Sequence, residues 1–339
     1  MGLQISDIIS KKQIEFKDLK GKTIAVDAFN AIYQFLTTIR QPDGTPLKDS
    51  EGNVTSHLSG LFYRNLKLIL EGVKLVYVFD GEAPDLKAKT HEKRKKVKEE
   101  YRKKYQEAVE NEDIEAMGKY SRSEVSLDKG KIEESKELLE AMGVFIVQAP
   151  GEGEAQASFI ALSGDVYAVA SQDYDCLMFK APLLIQNLSM SRKRKTITGY
   201  REIFPQVINL EGVLKELEIN QEQLICLGIL SGTDYNPGGV RGLGPKKSLK
   251  LVKEFKTKEK IFQAVEDHEK LELDFDWKII YDEIESPNVN KDIKIEFPKI
   301  NKQKIKEILM RYEFSEERID SQLDKLDVLE RAKAQTTLF

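Results

Sequence analysis

The sequence predicts an α/β fold with a mostly parallel central sheet flanked by helices. Short apolar runs rich in β-branched and aromatic residues, bounded by turn residues, read as strands buried on both faces. Amphipathic helical stretches alternate with them, the pattern of strand–helix–strand units with helices on both sides of a sheet.

Taken in order, Thr23–Val26 (TIAV) is the first strand, and Ser56–Glu71 a helix with an apolar stripe. Leu75–Phe79 (LVYVF) is the second strand. Residues 82–130 then interrupt the scheme with a highly charged insertion, mostly helical in pattern. Lys131–Met142 is a helix stopped by Gly143, followed by the strands Val144–Val147 and Val166–Ala170. Lys180–Tyr200 has two apolar-alternating arms around Ser-Arg-Lys-Arg and reads as a hairpin. Leu224–Leu230 is more helical than strand-like. After Asp234 the chain is helical and Lys/Glu-rich, with Pro287 and Pro298 marking loops and a short polar tail after Arg331. The Lys/Glu richness hints at a hot environment.

Composition excludes several classes. A chain of 339 residues with 40% hydrophobic residues, 21 Gly and 10 Pro is neither collagen-like nor wholly disordered. Cys176 and Cys226 are too far apart for a metal-binding Cys-x-x-Cys and read as reduced core thiols of a cytosolic protein. His57, His91 and His268 are too scattered for a zinc cluster. No apolar run is long enough to span a membrane, and the N-terminus lacks a signal-peptide core, so an intracellular chain with no membrane partner is expected. Met1–Ser6 fits a myristoylation pattern, and Asn53 and Asn187 open glycosylation sequons, but short patterns match by chance.

Charge is informative once divided. The net charge is −4, yet residues 82–106 hold ten Lys/Arg against five acids. A basic segment beside an acidic remainder suggests a polyanion held next to a metal site.

The acids lie where the strands end. TIAV runs into Asp27 and LVYVF into Asp80; VFIV leads to Glu152 and Glu154, VYAVA to Asp173 and Asp175, and the Leu224–Leu230 segment to Asp234. In an open parallel sheet the carboxyl ends of the strands share one edge, where ligands bind. Any one of these acids could be a solvated cap; seven from five segments converging is another matter. Two carboxylates 5 Å apart repel by roughly 3 kcal/mol at an effective dielectric near 20. Either most are protonated or multivalent cations neutralise them, and an all-oxygen set selects Mg²⁺ or Mn²⁺. Two such ions form a phosphoryl-transfer site, with a phosphodiester backbone as the natural substrate beside a basic segment.

A second nucleic-acid signal is Val240-Arg241-Gly242-Leu243-Gly244-Pro245-Lys246-Lys247, which opens an amphipathic helix. Gly242 and Gly244 let the backbone approach a phosphate, and Pro245 suits a first helical turn whose free amides face the anion. Residues 241–258 carry seven Lys/Arg against Glu254. This favours backbone binding without base reading over a structural turn with a solvated helix.

These residues resemble the flap endonucleases, the structure-specific 5′ nucleases of replication and repair in their archaeal and eukaryotic form. The matching stretches are VDAFNAIYQFL at 26–36, HLSGLFYRN at 57–65, YVFDGEAPDLK at 77–87, QAPGEGEAQA at 148–157, ASQDYDCL at 170–177 and LSGTDYNPGGVRGLGPKKSL at 230–249. The resemblance implies a PIN-like 5′ nuclease fold. Residues 1–330 would be the nuclease core, 82–130 a helical arch passing a 5′ single strand, and 230–256 a helix-hairpin-helix-like DNA-binding element. A tail would occupy 331–339. It implies Mg²⁺-dependent endonuclease activity at the base of a 5′ flap, with 5′–3′ exonuclease activity, in Okazaki fragment maturation and base excision repair. Asp27, Asp80, Glu152, Glu154, Asp173, Asp175 and Asp234 would hold two Mg²⁺ directly or through water. Lys87 and Arg94 would stabilise the transferring phosphate from the base of the arch, and Tyr33 would stack on a base near the scissile bond. Residues 36–62 would form the wedge where the duplex bends and a one-nucleotide 3′ flap is held. Gly242–Lys247 would contact the duplex, with a monovalent cation bridging to phosphate, in a monomer acting on branched DNA.

From the residues alone, bland readings stand beside these. Tyr33 could be a core residue, Lys87 and Arg94 solvated arch charges, and the basic insertion a partner-binding arm. Gln335, Leu338 and Phe339 start like a box for the sliding clamp PCNA, but the sequence stops before its aromatic pair. Two further functions remain open: a related 5′ exonuclease or junction-resolving nuclease, and a non-catalytic DNA-structure binder.

Overall fold

The structure, a computed structural model, describes the chain except residues 1–2, 4, 42–43, 83–84, 88–96, 98, 102, 105–126, 189–192, 197–198 and 337–339. Its strands are β1 (Lys12–Gln13), β2 (Thr23–Asp27), β3 (Lys74–Phe79), β4 (Phe145–Gln148), β5 (Ala168–Ala170), β6 (Leu183–Gln186), β7 (Lys193–Thr196), β8 (Gly199–Glu202) and β9 (Gln206–Asn209). The helices that matter most here are α1 (Ala28–Thr38), α2 (Ser56–Leu70), α3 (Lys129–Ala141), α4 (Gly153–Leu162), α5 (Asp175–Met178), α6 (Leu210–Leu217) and α7 (Gln221–Ser231). They are followed by α8 (Pro245–Phe255), α9 (Lys258–Glu266), α10 (Trp277–Glu285), α11 (Lys302–Arg311) and α12 (Glu316–Thr336).

The central sheet has the order β1-β9-β6-β5-β2-β3-β4. Strands β2 to β6 run parallel, and β9 and β1 add an antiparallel margin beyond β6. Its two faces are sorted residue by residue along each strand. Ile24, Val26, Leu75, Tyr77 and Phe79 are buried with α1, α2, α3, α11 and α12 on one side. Ala25, Val76, Val78, Val169 and Leu184 are buried with α4, α7, α9 and α10 on the other. The strands therefore carry no polar face, which is why they read as continuous apolar runs.

The chain leaves β2 toward β3 and β4, then returns past β2 to build β5 and β6 on its other side. The strand order thus reverses between β2 and β5. At such a switch point the connections diverge and leave a crevice outside the carboxyl ends of the strands.

The hairpin expected over 180–200 is displaced. Its first arm, β6, joins the central sheet beside β5, and the hairpin proper is β7 paired with β8. Lys193 and Arg194 of the Ser-Arg-Lys-Arg sequence lie in a strand rather than at a turn. Leu184 and Ile185 bury their side chains on opposite faces of the main sheet, so two-sided burial takes this arm. Of the insertion expected to form an arch, the described residues at 97, 99–101 and 103–104 are helical. The boundary drawn at 331 falls inside α12, which continues to Thr336.

Candidate active site

Four of the parallel strands, β2 to β5, lead into the acids at or just past their carboxyl ends. Asp27 ends β2 and caps α1, accepting a hydrogen bond from the Asn30 amide at 3.0 Å. A carboxylate here satisfies an amide the helix cannot and sits at the positive end of its dipole. Asp80 follows β3 and accepts from the Gly153 amide in the first turn of α4, at 2.5 Å. A Cβ on residue 153 would lie 2.6 Å from that carboxylate oxygen, so the Gly in Gly-Glu-Gly-Glu is what admits Asp80 to the helix end. Glu152 caps the same helix and Glu154 lies in its first turn. Asp173 and Asp175 follow β5, and Asp175 accepts from the Leu3 amide at 2.5 Å.

Asp234 arrives by a different route. It lies in the loop after α7, which folds back because Gly232 and Gly239 meet backbone to backbone. A Cβ on Gly232, where φ is +104°, would sit 2.7 Å from the Gly239 nitrogen. Thr233 and Asn236 lace the loop through hydrogen bonds, and the Asn236 amide donates to the Ile229 carbonyl at 2.7 Å.

Asn30 and Ser171 join the strand ends across the crevice. The Asn30 side chain donates to Asp173 Oδ2 at 3.1 Å. The Ser171 hydroxyl lies 3.2 Å from Asp27 Oδ2 and 3.1 Å from Glu154 Oε1, and the Asp173 amide donates to it at 3.2 Å. Lys87 closes the flank, its Nζ 2.6 Å from Glu152 Oε1.

The electrostatics register the crowding. Burial, then the charges of Asp80 and Asp173, push Asp27 up to about 7. Burial, then Asp173 and Asp234, push Asp175 to about 7 as well. Glu154 is held well above the carboxylate range by burial and by Asp173, Asp27 and Asp175. Burial works against the Lys87 ammonium, but Glu152, Glu154 and Asp234 outweigh it and raise its pKa. These mutual influences tie the acids of all five segments into one electrostatic unit. One ammonium cannot neutralise seven carboxylates, and the all-oxygen donor set fits hard divalent cations. Among the described residues no three acid, histidine or cysteine side chains already stand closely enough to hold an ion. The side chains of Ser171, Asn30 and Lys87 and the backbone amides of Asn30, Gly153 and Leu3 occupy carboxylate oxygens that an ion would take.

The other expected residues are placed as follows. Tyr33 is 45% exposed on α1, whose buried face is Ala28, Ala31, Ile32, Phe35 and Leu36, so it is no core residue. Gly242 adopts φ +90°, Gly244 caps α8, Pro245 occupies its first turn, and Lys246 and Lys247 are exposed. Helices α7 and α8 pack as a pair, with the Gln223 side chain donating to the Val252 carbonyl at 2.9 Å. One connection thus carries Asp234 at its start and the basic Gly-x-Gly turn at its end. Arg94, Leu338 and Phe339 lie outside the described residues, and Gln335 lies in α12.

Sequence reasoning passed over Asn30, Ser171, Gly153, Tyr235 and Glu283. The first three stand within three residues of a named acid, a signal that spacing carried. Glu283, on α10, was not legible. Burial and the Glu152 charge raise its pKa, which places an eighth carboxyl group beside the site.

Residues 1–101 match the XPG N-terminal domain, and residues 143–234 match the XPG I-region. Flap endonuclease 1 of Pyrococcus furiosus is 48% identical over 342 residues, spanning 100% of this chain and 98% of that protein. Flap endonuclease 1 of Hyperthermus butylicus is 48% identical over 332 residues, spanning 96% and 94%. The solved flap endonuclease-1 from Methanococcus jannaschii superposes with a TM-score of 0.77 at 38% identity, covering 98% of this chain and 100% of that one. The catalytic core of Rad2 in complex with DNA substrate shares the fold, with a TM-score of 0.70 at 23% identity over 92% of this chain and 95% of that one. With both XPG regions in place and close relatives aligned from end to end, the chain belongs to the flap endonuclease 1 family.

Proposed function

We propose that the chain is a structure-specific 5′ flap endonuclease that hydrolyses a DNA phosphodiester at the base of the flap, with 5′–3′ exonuclease activity on nicked or gapped duplex. The observation that carries this is the meeting of acids from five segments at the switch-point edge, with Lys87 on their flank. Asp27, Asp80, Glu152, Glu154, Asp173, Asp175 and Asp234 are the residues that would hold two Mg²⁺. Bound there, the ions supply Lewis-acid activation of water and stabilise charge on the leaving oxygen.

The chain's own groups do the rest. Lys87 offers its ammonium to the non-bridging oxygens of the phosphate, a role Arg94 shares. Asn30, Ser171 and the Gly153 amide fix carboxylate orientations before substrate arrives, the preorganisation on which electrostatic catalysis depends. Tyr33, exposed on α1, offers a ring for a base displaced from the duplex. Gly242, Gly244, Lys246 and Lys247 grip duplex backbone at the N-terminus of α8, a turn that would also hold a monovalent cation. Binding is then governed by DNA shape and phosphate charge, nearly independent of sequence.

The protein acts as a monomer inside the cell, in Okazaki fragment maturation and base excision repair, and Gln335, Leu338 and Phe339 engage the sliding clamp PCNA. Among the described residues no helix is long and apolar enough to cross a membrane. The test is cleavage of end-labelled double-flap, nicked and four-way-junction DNA with Mg²⁺, mapping the product ends. Preferred cutting at the flap base, leaving a 5′-phosphate and lost with chelator, supports the reading. Preference for the junction would assign a resolving enzyme, and binding without turnover a structural DNA binder.

A further inference from the structure

The loop that brings Asp234 into the site brings an aromatic ring with it. Tyr235 is 8% exposed, and the Lys87 Nζ lies 4.9 Å from its ring centroid. The same nitrogen is 2.6 Å from Glu152 Oε1, and the Lys87 side chain is only 15% exposed. An ammonium on a four-carbon stem is ordinarily free to sweep a wide volume. Here a carboxylate holds one side of it and the negative face of a ring another, an arrangement strengthened by removal from water.

The ring is itself held. The Tyr235 amide donates to Thr233 Oγ1 at 3.1 Å, Thr233 is bonded to Asn236, and Asn236 is anchored to the end of α7. The Gly232–Gly239 contact leaves the loop no room to open without separating two backbones. The ring's place is thus set by α7, an element independent of the insertion on which Lys87 stands.

We propose that Tyr235 is a positioning residue for the phosphate-contacting cation: its ring face fixes the Lys87 ammonium over the carboxylate edge, so that the scissile phosphate meets a charge already in place. The inference rests on the reading of Lys87 given above. The ring rather than the hydroxyl carries this role, which separates it from a residue that merely fills the core or bonds through its oxygen.

Single-turnover cleavage of a double-flap DNA with Mg²⁺ in excess enzyme provides the test. Tyr235→Leu slows the step about tenfold while DNA affinity stays within about twofold, the scale of a desolvated cation–π contact. Tyr235→Phe, which keeps the ring, recovers most of that loss. In a Lys87→Ala background Tyr235→Leu adds less than about twofold, the non-additivity of residues acting through one another. A tenfold loss that persists without Lys87, or a Tyr235→Phe as slow as Tyr235→Leu, would overturn the proposal. Should Lys87→Ala alone cut at the wild-type rate, the reading of Lys87 fails and the inference with it.

A measurement on the unmutated protein guards against a variant that does not fold. With ¹³C-labelled lysine, the Lys87 ε-methylene protons, identified by their loss in Lys87→Ala, resonate upfield of the other lysines because of the ring current. An ordinary lysine shift would overturn the contact independently of any rate.

Discussion

Replacing Asp27 by asparagine should stabilise the metal-free protein at neutral and alkaline pH, although Asp27 is one of the acids proposed to hold the metal ions. Burial and the nearby Asp80 and Asp173 charges raise its pKa to about 7. In the unfolded chain the same group titrates near 3.9. The folded state therefore binds the proton more tightly, and stability is highest when both states are protonated. It is lost as pH rises from about 4 to about 7 and is constant above that. At about 1.4 kcal/mol for each tenfold difference in proton affinity, the loss is on the order of 4 kcal/mol, of which about 3 kcal/mol falls between pH 5 and 8. The Asp27→Asn protein would have no such titration. Its amide side chain would still accept from the Asn30 amide and could donate to the Ser171 oxygen, where Asp27 now accepts. Guanidinium unfolding of both proteins in chelator, at pH 5, 6, 7 and 8, measures the difference directly. The advantage of Asp27→Asn should grow with pH by up to about 3 kcal/mol, and saturating Mg²⁺ should shrink or reverse it by stabilising only the wild type. A difference that is constant across this range, or that favours the wild type more as pH rises, would refute the picture of carboxylates in mutual repulsion.

Three other outcomes follow from the geometry. Asp80→Ala or Asp173→Ala should abolish cleavage while leaving DNA binding largely intact; a variant cutting at near wild-type rate would remove these acids from the metal set. Gly153→Ala places a methyl group 2.6 Å from Asp80 Oδ1, which must then move, and should slow single-turnover cleavage by about 10²-fold, the effect of a misplacement near 1 Å. Its DNA affinity should be unchanged, and a normal rate would show that Asp80 does not need the helix end. Lys246→Ala and Lys247→Ala should each lower the salt dependence of duplex binding by about one in the log–log slope, with no change in sequence preference. An unaltered slope in fluorescence anisotropy titrations would return them to the solvated surface of α8.

Legibility in the sequence followed burial. Strands β2, β3, β4 and β5 announce themselves because both faces are covered, so runs such as LVYVF have no polar alternation to blur them. Strands β1 and β9 carry no such run: Lys12–Gln13 is exposed, and Gln206–Asn209 pairs at an antiparallel margin. The misplaced hairpin has a related origin, since a short apolar arm such as Leu183–Gln186 looks alike whether its partner lies across a turn or across the sheet. The acids were legible because a parallel sheet puts every strand's carboxyl end on one edge, whatever the distance along the chain. What holds them was not. Asn30 bridging to Asp173 spans 143 residues and the Leu3 amide reaching Asp175 spans 172. Such pairings exist only once β2 and β5 are neighbours. Tyr235 and Glu283 were hidden for the same reason: nothing about a Tyr beside an Asp, or a Glu on α10, says that Lys87 and Glu152 will stand against them.

Acids from five separate segments should form one receptacle for divalent ions, and anomalous diffraction from crystals grown with Mn²⁺ tests this without recourse to activity. Two manganese peaks are expected between the carboxyl ends of β2, β3 and β5, ligated by Asp27, Asp80, Glu152, Glu154, Asp173, Asp175 and Asp234 directly or through water. Peaks elsewhere on the molecule, or none at this edge at saturating Mn²⁺, would contradict it.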